Sequence, residues 1–501
     1  MNLGRSFIWG VGSSVWSAIV TFATLPLLIG MLGLEAYGVI GFFLTLQTLL
    51  QLLDLGMTPT ISRQVARAGA TGEERETRNL LHSLAIIYWV VGALLALLLF
   101  LATGFIANQW LNSSTLARDD LERGLALMGL ALAARWPSAL YTGALTGAGR
   151  LPTVGAISMV TAATANIGVL AVLTLVAPTL ETFFLWQAAV NLAQSLALRS
   201  AIWRHLRRDE PTRFDPPELI KIWRFSAGMT GITLAGLALS QLDKILLSWL
   251  VPLSEFANYV LAGVVAGLLF LVGRPMFQTV YPRLSALVAS GDEAALARTY
   301  HLATRLLASL ALPMAMAMTV YGHDLLLLWL SSEEIARRAA PSLALLAAGT
   351  ALNAIMHMPF ALQIAYGRVR LALAISVSLA ILIVPLIVVL AMAYGAVGAA
   401  AAWLILHLIY LVGGTWLTHR AILVGDGWRW FLQGFAAPMG ITLLFGLVAL
   451  GIDRQFAPHP LLNLAIGGGI VALSIAACLL TSGELRKAGV ASMLAFSRSP
   501  S

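Results

Sequence analysis

Residues 26–64 read PLLIGMLGLEAYGVIGFFLTLQTLLQLLDLGMTPTISRQ. One apolar helix ends here and the chain turns over Gly33–Gly38. A second apolar helix then returns carrying Gln47, Gln51 and Asp54, and a basic loop begins at Arg63. Steps of four and three residues put the two amides and the acid on one helical face. Such groups are expensive inside a bilayer-length segment and are usually functional. The stretch predicts a polytopic membrane protein with a polar interior.

Composition agrees. Of 501 residues, 59% are hydrophobic and 11% charged, against about 25% charged in soluble domains. The single cysteine, Cys478, excludes an intramolecular disulfide framework and reads as a small buried apolar residue. Arg5 precedes an apolar run too long for a signal-peptide core, which predicts an uncleaved first span.

Fourteen bilayer-length segments follow: 7–30, 38–58, 80–104, 123–147, 153–177, 183–203, 225–250, 256–281, 302–322, 341–366, 371–393, 396–418, 433–452 and 461–482. Two of them, with Arg135 and Pro137 in one and Asn353, His357 and Pro359 in the other, can cross only if neighbouring helices satisfy their polar groups. With the N-terminus cytoplasmic, alternate loops place twenty-three Lys and Arg inside and five outside, and Arg135, Lys244 and Arg274 fall within spans. This asymmetry accounts for the net charge of +8. It removes the case for a nucleic-acid partner and puts both termini in the cytoplasm.

The chain also repeats. Gly149–Arg150 followed by Ala156–Ile157–Ser158 recurs as Gly367–Arg368 followed by Ala374–Ile375–Ser376, 218 residues on, and Trp186 recurs as Trp403. Leu34–Glu35 and Tyr37 are echoed by Ser254–Glu255 and Tyr259. A duplication of six spans gives two lobes of equal orientation, related by a pseudo-two-fold axis along the membrane normal. The predicted fold is all-α: an N-terminal lobe over 1–210, a C-terminal lobe over 211–423, and two extra spans with a cytoplasmic tail over 424–501.

The run LPLLIGMLGLEAYGVIGF…LLDLGMTPTISRQVAR, with QLDKILLSWLVPLSEFANYVLA and VYPRLSALVASGD at 280–292, resembles the Wzx-like oligosaccharide flippases of the multidrug/oligosaccharidyl-lipid/polysaccharide exporter superfamily. That resemblance implies a two-lobed alternating-access transporter in the bacterial inner membrane. Its cargo would be an undecaprenyl-diphosphate-linked oligosaccharide, moved from the cytoplasmic to the periplasmic leaflet for surface polysaccharide assembly. Membrane lipids, a polysaccharide polymerase and chain-length proteins are the implied partners, with no cofactor and no enzymatic activity. The related lipid II flippases use cavity arginines, including one on the eighth helix, which favours Arg274. The first span here has no internal arginine, which argues against lipid II as cargo.

A diphosphate needs cationic and preferably bidentate partners, a role suited to arginine. Arg135 lies about 18 Å from either end of its span at helical rise, beyond easy snorkelling. It reads either as a cargo contact or as the partner of an acid such as Asp54. Arg274, with Gln278 one turn below, reads as a cargo contact or as a snorkelling cation. Gln47 and Gln51 are candidates for glycan contact. Asp243 and Asp54 are candidates for H+ or Na+ coupling or for pairing with a cation across the lobes. Asp243 and Lys244, adjacent on a helix, are not expected to face each other. His357 and His407 read as packing groups. Trp9, Trp110, Trp329, Trp416, Trp428 and Trp430 read as interfacial anchors. Gly467–Gly469 reads as close helix packing. No Walker motif appears. Two other readings stand beside the flippase: a cation-coupled multidrug antiporter of the same superfamily, and a membrane glycan polymerase or glycosyltransferase.

Overall fold

In a bilayer every backbone polar group must be satisfied within its own segment or by neighbours, so spans are helices. The computed structural model describes residues 3–54, 56–71, 74–206, 212–214, 241–456, 459–481 and 483. Among them the chain is helical, with no β-sheet. The protein is a polytopic all-α membrane protein. Nine segments among the described residues are long and apolar enough to cross a membrane, with a shorter apolar helix at Leu34–Leu50. Most described residues of the expected spans lie on helices; span 38–58 is broken by turn residues Asp54 and Gly56, and span 225–250 is described only from 241 onward.

The chain divides into two compact units, Met1–Gln241 with Pro252–Ala257, and Leu242–Val251 with Asn258–Ser501. In the first unit, α1 (Leu3–Leu32) and α2 (Leu34–Leu53) are separated by Gly33 alone, at φ 87°. The turn is thus shorter than Gly33–Gly38. The basic segment after it is likewise not a loop: α3 (Met57–Thr71) carries Arg63 and Arg67 on a helix. Its apolar stripe Met57, Ile61, Val65 and Ala68 is buried, and that spacing overrides the polar composition.

Then follow α4 (Glu74–Phe105), α5 (Arg118–Arg135), α6 (Pro137–Gly147), α7 (Leu151–Leu175) and α8 (Leu180–His205). Gly143 and Gly147, four residues apart, bring α6 onto α3; a Cβ at Gly147 would lie 2.1 Å from the Ser62 carbonyl. Around this contact Ile61, Leu81, Leu84, Tyr88, Leu140 and Tyr141 form a buried core.

In the second unit residues 241–250 form α9. Helix α10 (Leu253–Ala266) has its first turn in the first unit and continues in the second. A tight turn at Gly267–Leu269 leads to α11 (Phe270–Ser290), then α12 (Glu293–Val320), α13 (Gly322–Leu330), α14 (Glu333–Ala365) and α15 (Val369–Ile409). Helix α15 holds two expected spans. They divide at Gly395, whose φ of 59° and ψ of −138° break the helix exactly between 393 and 396. After α16 (Thr415–Ala421) and α17 (Gly427–Arg429) come α18 (Ala437–Phe456) and α19 (Pro460–Leu480). Gly467 packs α19 on the Tyr321 ring, where a Cβ would come within 2.7 Å. Cys478 is fully buried, its thiol 3.8 Å from the Pro438 carbonyl.

The sequence repeat has a local structural counterpart. Arg150 N donates to Leu145 O at 2.9 Å, and Arg368 N donates to Gln363 O at 2.9 Å. Gly149 and Gly367 precede these residues at φ 70° and 68°. Both helices therefore end in the same Schellman closure.

Candidate functional site

Pro137 has no N–H to give the Ala133 carbonyl, so the helix carrying Arg135 is interrupted at its middle. Trp136, between α5 and α6, keeps helical dihedrals (φ −50°, ψ −47°), and the chain kinks rather than unwinds. Side chains satisfy the carbonyls around the kink. Ser138 Oγ donates to Arg135 O at 2.6 Å, Ser195 Oγ to Ala134 O at 2.7 Å, and Asn191 Nδ2 to Ala131 O at 3.2 Å. These bonds serve the carbonyls on either side of Ala133, whose own carbonyl Pro137 leaves without its helical donor. The Arg135 side chain is partly buried and makes no hydrogen bond or ion pair with any described residue.

Asp54 is engaged elsewhere. Its carboxylate accepts from Thr58 N at 3.1 Å and Thr58 Oγ1 at 2.6 Å, capping α3, and from the Tyr88 hydroxyl. Tyr88 in turn stacks on Trp136, ring centroids 5.6 Å apart. Asp54 thus pairs with hydroxyls, and neither Arg135 nor any lysine is its partner among the described residues. Gln47 is partly buried on α2 and bonds to no described residue. Gln51 lies on α2, but its side chain is outside the described residues.

In the second unit Asp243 is 4% exposed, and Tyr259 donates to its Oδ2 at 2.6 Å. Lys244 Nζ folds back to 3.4 Å from the same oxygen. The two neighbours therefore do face each other, contrary to the expectation from helical spacing. The four-carbon lysine stem is long enough to return to a buried carboxylate that needs a cation. Arg274 and Gln278 project from α11 as exposed side chains, and the Arg274 guanidinium lies 5.4 Å over the Phe270 ring.

His407 is a fully hydrogen-bonded packing group. Its Nδ1 meets Trp403 O at 2.8 Å and its Nε2 meets Asn353 Nδ2 at 2.8 Å. His357 Nδ1 meets Asn353 O at 3.0 Å. Trp430 corrects an expectation: it is fully buried, donating to Thr304 Oγ1 at 3.0 Å, because it packs on Tyr300 and His419 rather than at an interface. Trp416 and Trp428 are exposed. Acids outside the spans pair locally: Asp120 and Glu181 with Arg123, Glu334 with Arg338, and Glu333 with His323.

A further buried carboxylate had no sequence signal beyond the repeat. Glu35, at the start of α2, accepts from Ser113 Oγ at 2.8 Å, Ser114 Oγ at 2.6 Å and Thr115 N at 2.9 Å. Burial pushes its carboxyl up, and the bonds from Ser114, Thr115 and Ser113 outweigh it, leaving the pKa at about 2.

The family model for polysaccharide biosynthesis proteins matches residues 3–288. The chain belongs to that family. This polysaccharide biosynthesis family member is similar in fold to the lipid II flippase MurJ in an inward closed conformation, at TM-score 0.72 and 13% identity, over 94% of this chain and 98% of that one. It is also similar to an inward-facing multidrug resistance MATE family transporter of the MOP superfamily, at 0.67 and 15%, over 81% and 94%. A mutant of the Vibrio cholerae MATE transporter VcmN matches at 0.54 and 15%, over 84% and 100%. No curated protein matches the chain in sequence. The shared architecture is that of flippases and transporters.

Proposed function

We propose that this protein flips an undecaprenyl-diphosphate-linked oligosaccharide from the cytoplasmic to the periplasmic leaflet of the bacterial inner membrane, feeding surface polysaccharide assembly. The observation that carries this reading is Arg135: a guanidinium without a described partner, held at a kink in mid-span, in a member of the polysaccharide biosynthesis family. A mid-span arginine costs about 2.5–3.5 kcal/mol even on insertion scales, so it is retained for an anion that passes. A glycan headgroup cannot cross hydrocarbon unaided, whereas its lipid tail can remain in the bilayer.

In this mechanism two six-helix lobes alternate around the cargo, spans 13 and 14 standing outside the duplication. Arg135 and Arg274 meet the diphosphate, and Gln47, Gln51 and Gln278 meet the glycan. Asp54 and the Asp243–Lys244 pair serve the scaffold, so H+ or Na+ coupling would have to enter elsewhere. Both termini are cytoplasmic, and a polysaccharide polymerase and chain-length proteins take the product onward. The multidrug antiporter reading requires a free acid in the cavity; Asp54 and Asp243 are both bonded to tyrosine hydroxyls.

The test is complementation of a deletion strain. Arg135→Ala, expressed at the wild-type level, should fail to restore surface polysaccharide, and Arg135→Lys should restore part of it, because lysine keeps the charge and loses the bidentate fork. Full restoration by Arg135→Ala would remove Arg135 from the cargo path.

A further inference from the structure

Gly273 on α11 faces Ala354 on α14, where a Cβ would come within 3.2 Å of the alanine methyl. That close approach sets what happens one turn further along each helix. There the Phe277 ring meets His357 edge-on, centroids 6.1 Å apart, and stacks with Phe360 at 5.9 Å and 29°. One turn beyond, Tyr281 lies parallel to Phe277 at 5.6 Å and an interplanar angle of 1°. These rings are only partly buried, and Arg274 and Gln278 on the same face of α11 are exposed. Residues 274, 277, 278 and 281 fall on one side of α11 by helical spacing, and Gly273, Val280 and Leu284 are buried on the adjoining flank, next to Phe277.

Within the flippase reading this face lines the hydrated cargo cavity, because an arginine and a glutamine do not face hydrocarbon without a large cost. Packing rings against one another in such a cavity keeps a broad apolar surface beside a cation. The arrangement matches a ligand with an anionic group and, next to it, rings that present C–H faces. We infer that the Phe277–Tyr281–Phe360 strip, with Arg274 and His357 at its head, is a sugar-stacking subsite. It takes the pyranose nearest the diphosphate of the cargo. The inference rests on the flippase reading above and deepens it. Phe277 and Tyr281 supply the stacking face. The His357 ring contributes its Nε2 to a sugar hydroxyl, since its Nδ1 is committed to Asn353 O.

Purified full-length protein in nanodiscs tests this with two probes: the lipid-linked glycan extracted from the deletion strain, and undecaprenyl diphosphate carrying no sugar. Wild type should bind the glycolipid more tightly than the bare lipid. Phe277→Leu and Tyr281→Leu, which keep apolar volume but lose the π face, should each cut that preference by about tenfold, the size of one good aromatic contact. Arg274→Ala should weaken both probes alike. If the leucine variants melt like wild type and keep the full preference, or if wild type shows no preference, the strip is packing and the inference falls. If no glycolipid accumulates in the deletion strain, or wild type binds neither probe, the flippase reading itself falls.

Discussion

Tyr88 donates its hydroxyl to Asp54, thirty-four residues away in sequence, and its ring stacks on Trp136 beside Arg135. The acid that follows the polar face of α2 is therefore a structural anchor. It fixes the start of α3 and, through Tyr88 and Trp136, the kink where Arg135 sits.

Removing the anchor should loosen the first unit. Asp54→Ala leaves the Thr58 amide uncapped and the Tyr88 hydroxyl without its acceptor. Loss of the cap alone costs about 1 kcal/mol, and the stranded hydroxyl adds about 1–2 kcal/mol. Thermal unfolding of the purified protein should shift down accordingly, with Asp54→Asn losing less.

Neither tyrosine-bonded acid should carry an ion. In vesicles, Asp54→Asn and Asp243→Asn should leave the dependence of transport on proton and sodium gradients unchanged. Asp243→Ala should cost about 1–3 kcal/mol of stability, because the Tyr259 hydroxyl is then buried without an acceptor. A gradient dependence abolished by either asparagine variant would return the ion site to that residue.

The kink should matter separately from the charge. Pro137→Ala supplies the missing N–H to Ala133 and should straighten the α5–α6 junction. Stability should hold or rise, and transport should fall, because the Arg135 guanidinium is re-aimed. Unchanged transport would mean that the kink does not position it.

Glu35 predicts an acid limb. Its pKa of about 2 in the fold lies below the ordinary 4.5, so its contribution is complete above pH 4.5 and is lost as pH falls towards 2. After discounting for solvent screening at the loop, the contribution is on the order of 2 kcal/mol. Glu35→Gln should lower stability at pH 7 and flatten the fall between pH 5 and pH 3, read by thermal unfolding.

The spans were legible because hydrophobic runs and loop charges act locally, and the limits 393 and 396 bracket Gly395, where α15 divides. The boundaries of short elements were not. The basic segment after Asp54 is a helix because its buried stripe faces α6, a contact no local reading contains. The partners of polar groups were also hidden. Nothing near Asp54 points to Tyr88, or near Glu35 to Ser113–Thr115. Asp243 and Lys244 meet because a long side chain bends, which helical spacing alone does not describe. Arg135, by contrast, stood out in the sequence by its distance from both ends of its span. It also lies in mid-span with no partner among the described residues.

The most direct measurement is the leaflet distribution of lipid-linked glycan in cells that lack this protein and in cells re-expressing it. We predict accumulation on the cytoplasmic leaflet without it and transfer to the periplasmic leaflet on re-expression. An unchanged distribution, accompanied by new sensitivity to cationic drugs, would contradict the flippase account and favour a multidrug antiporter.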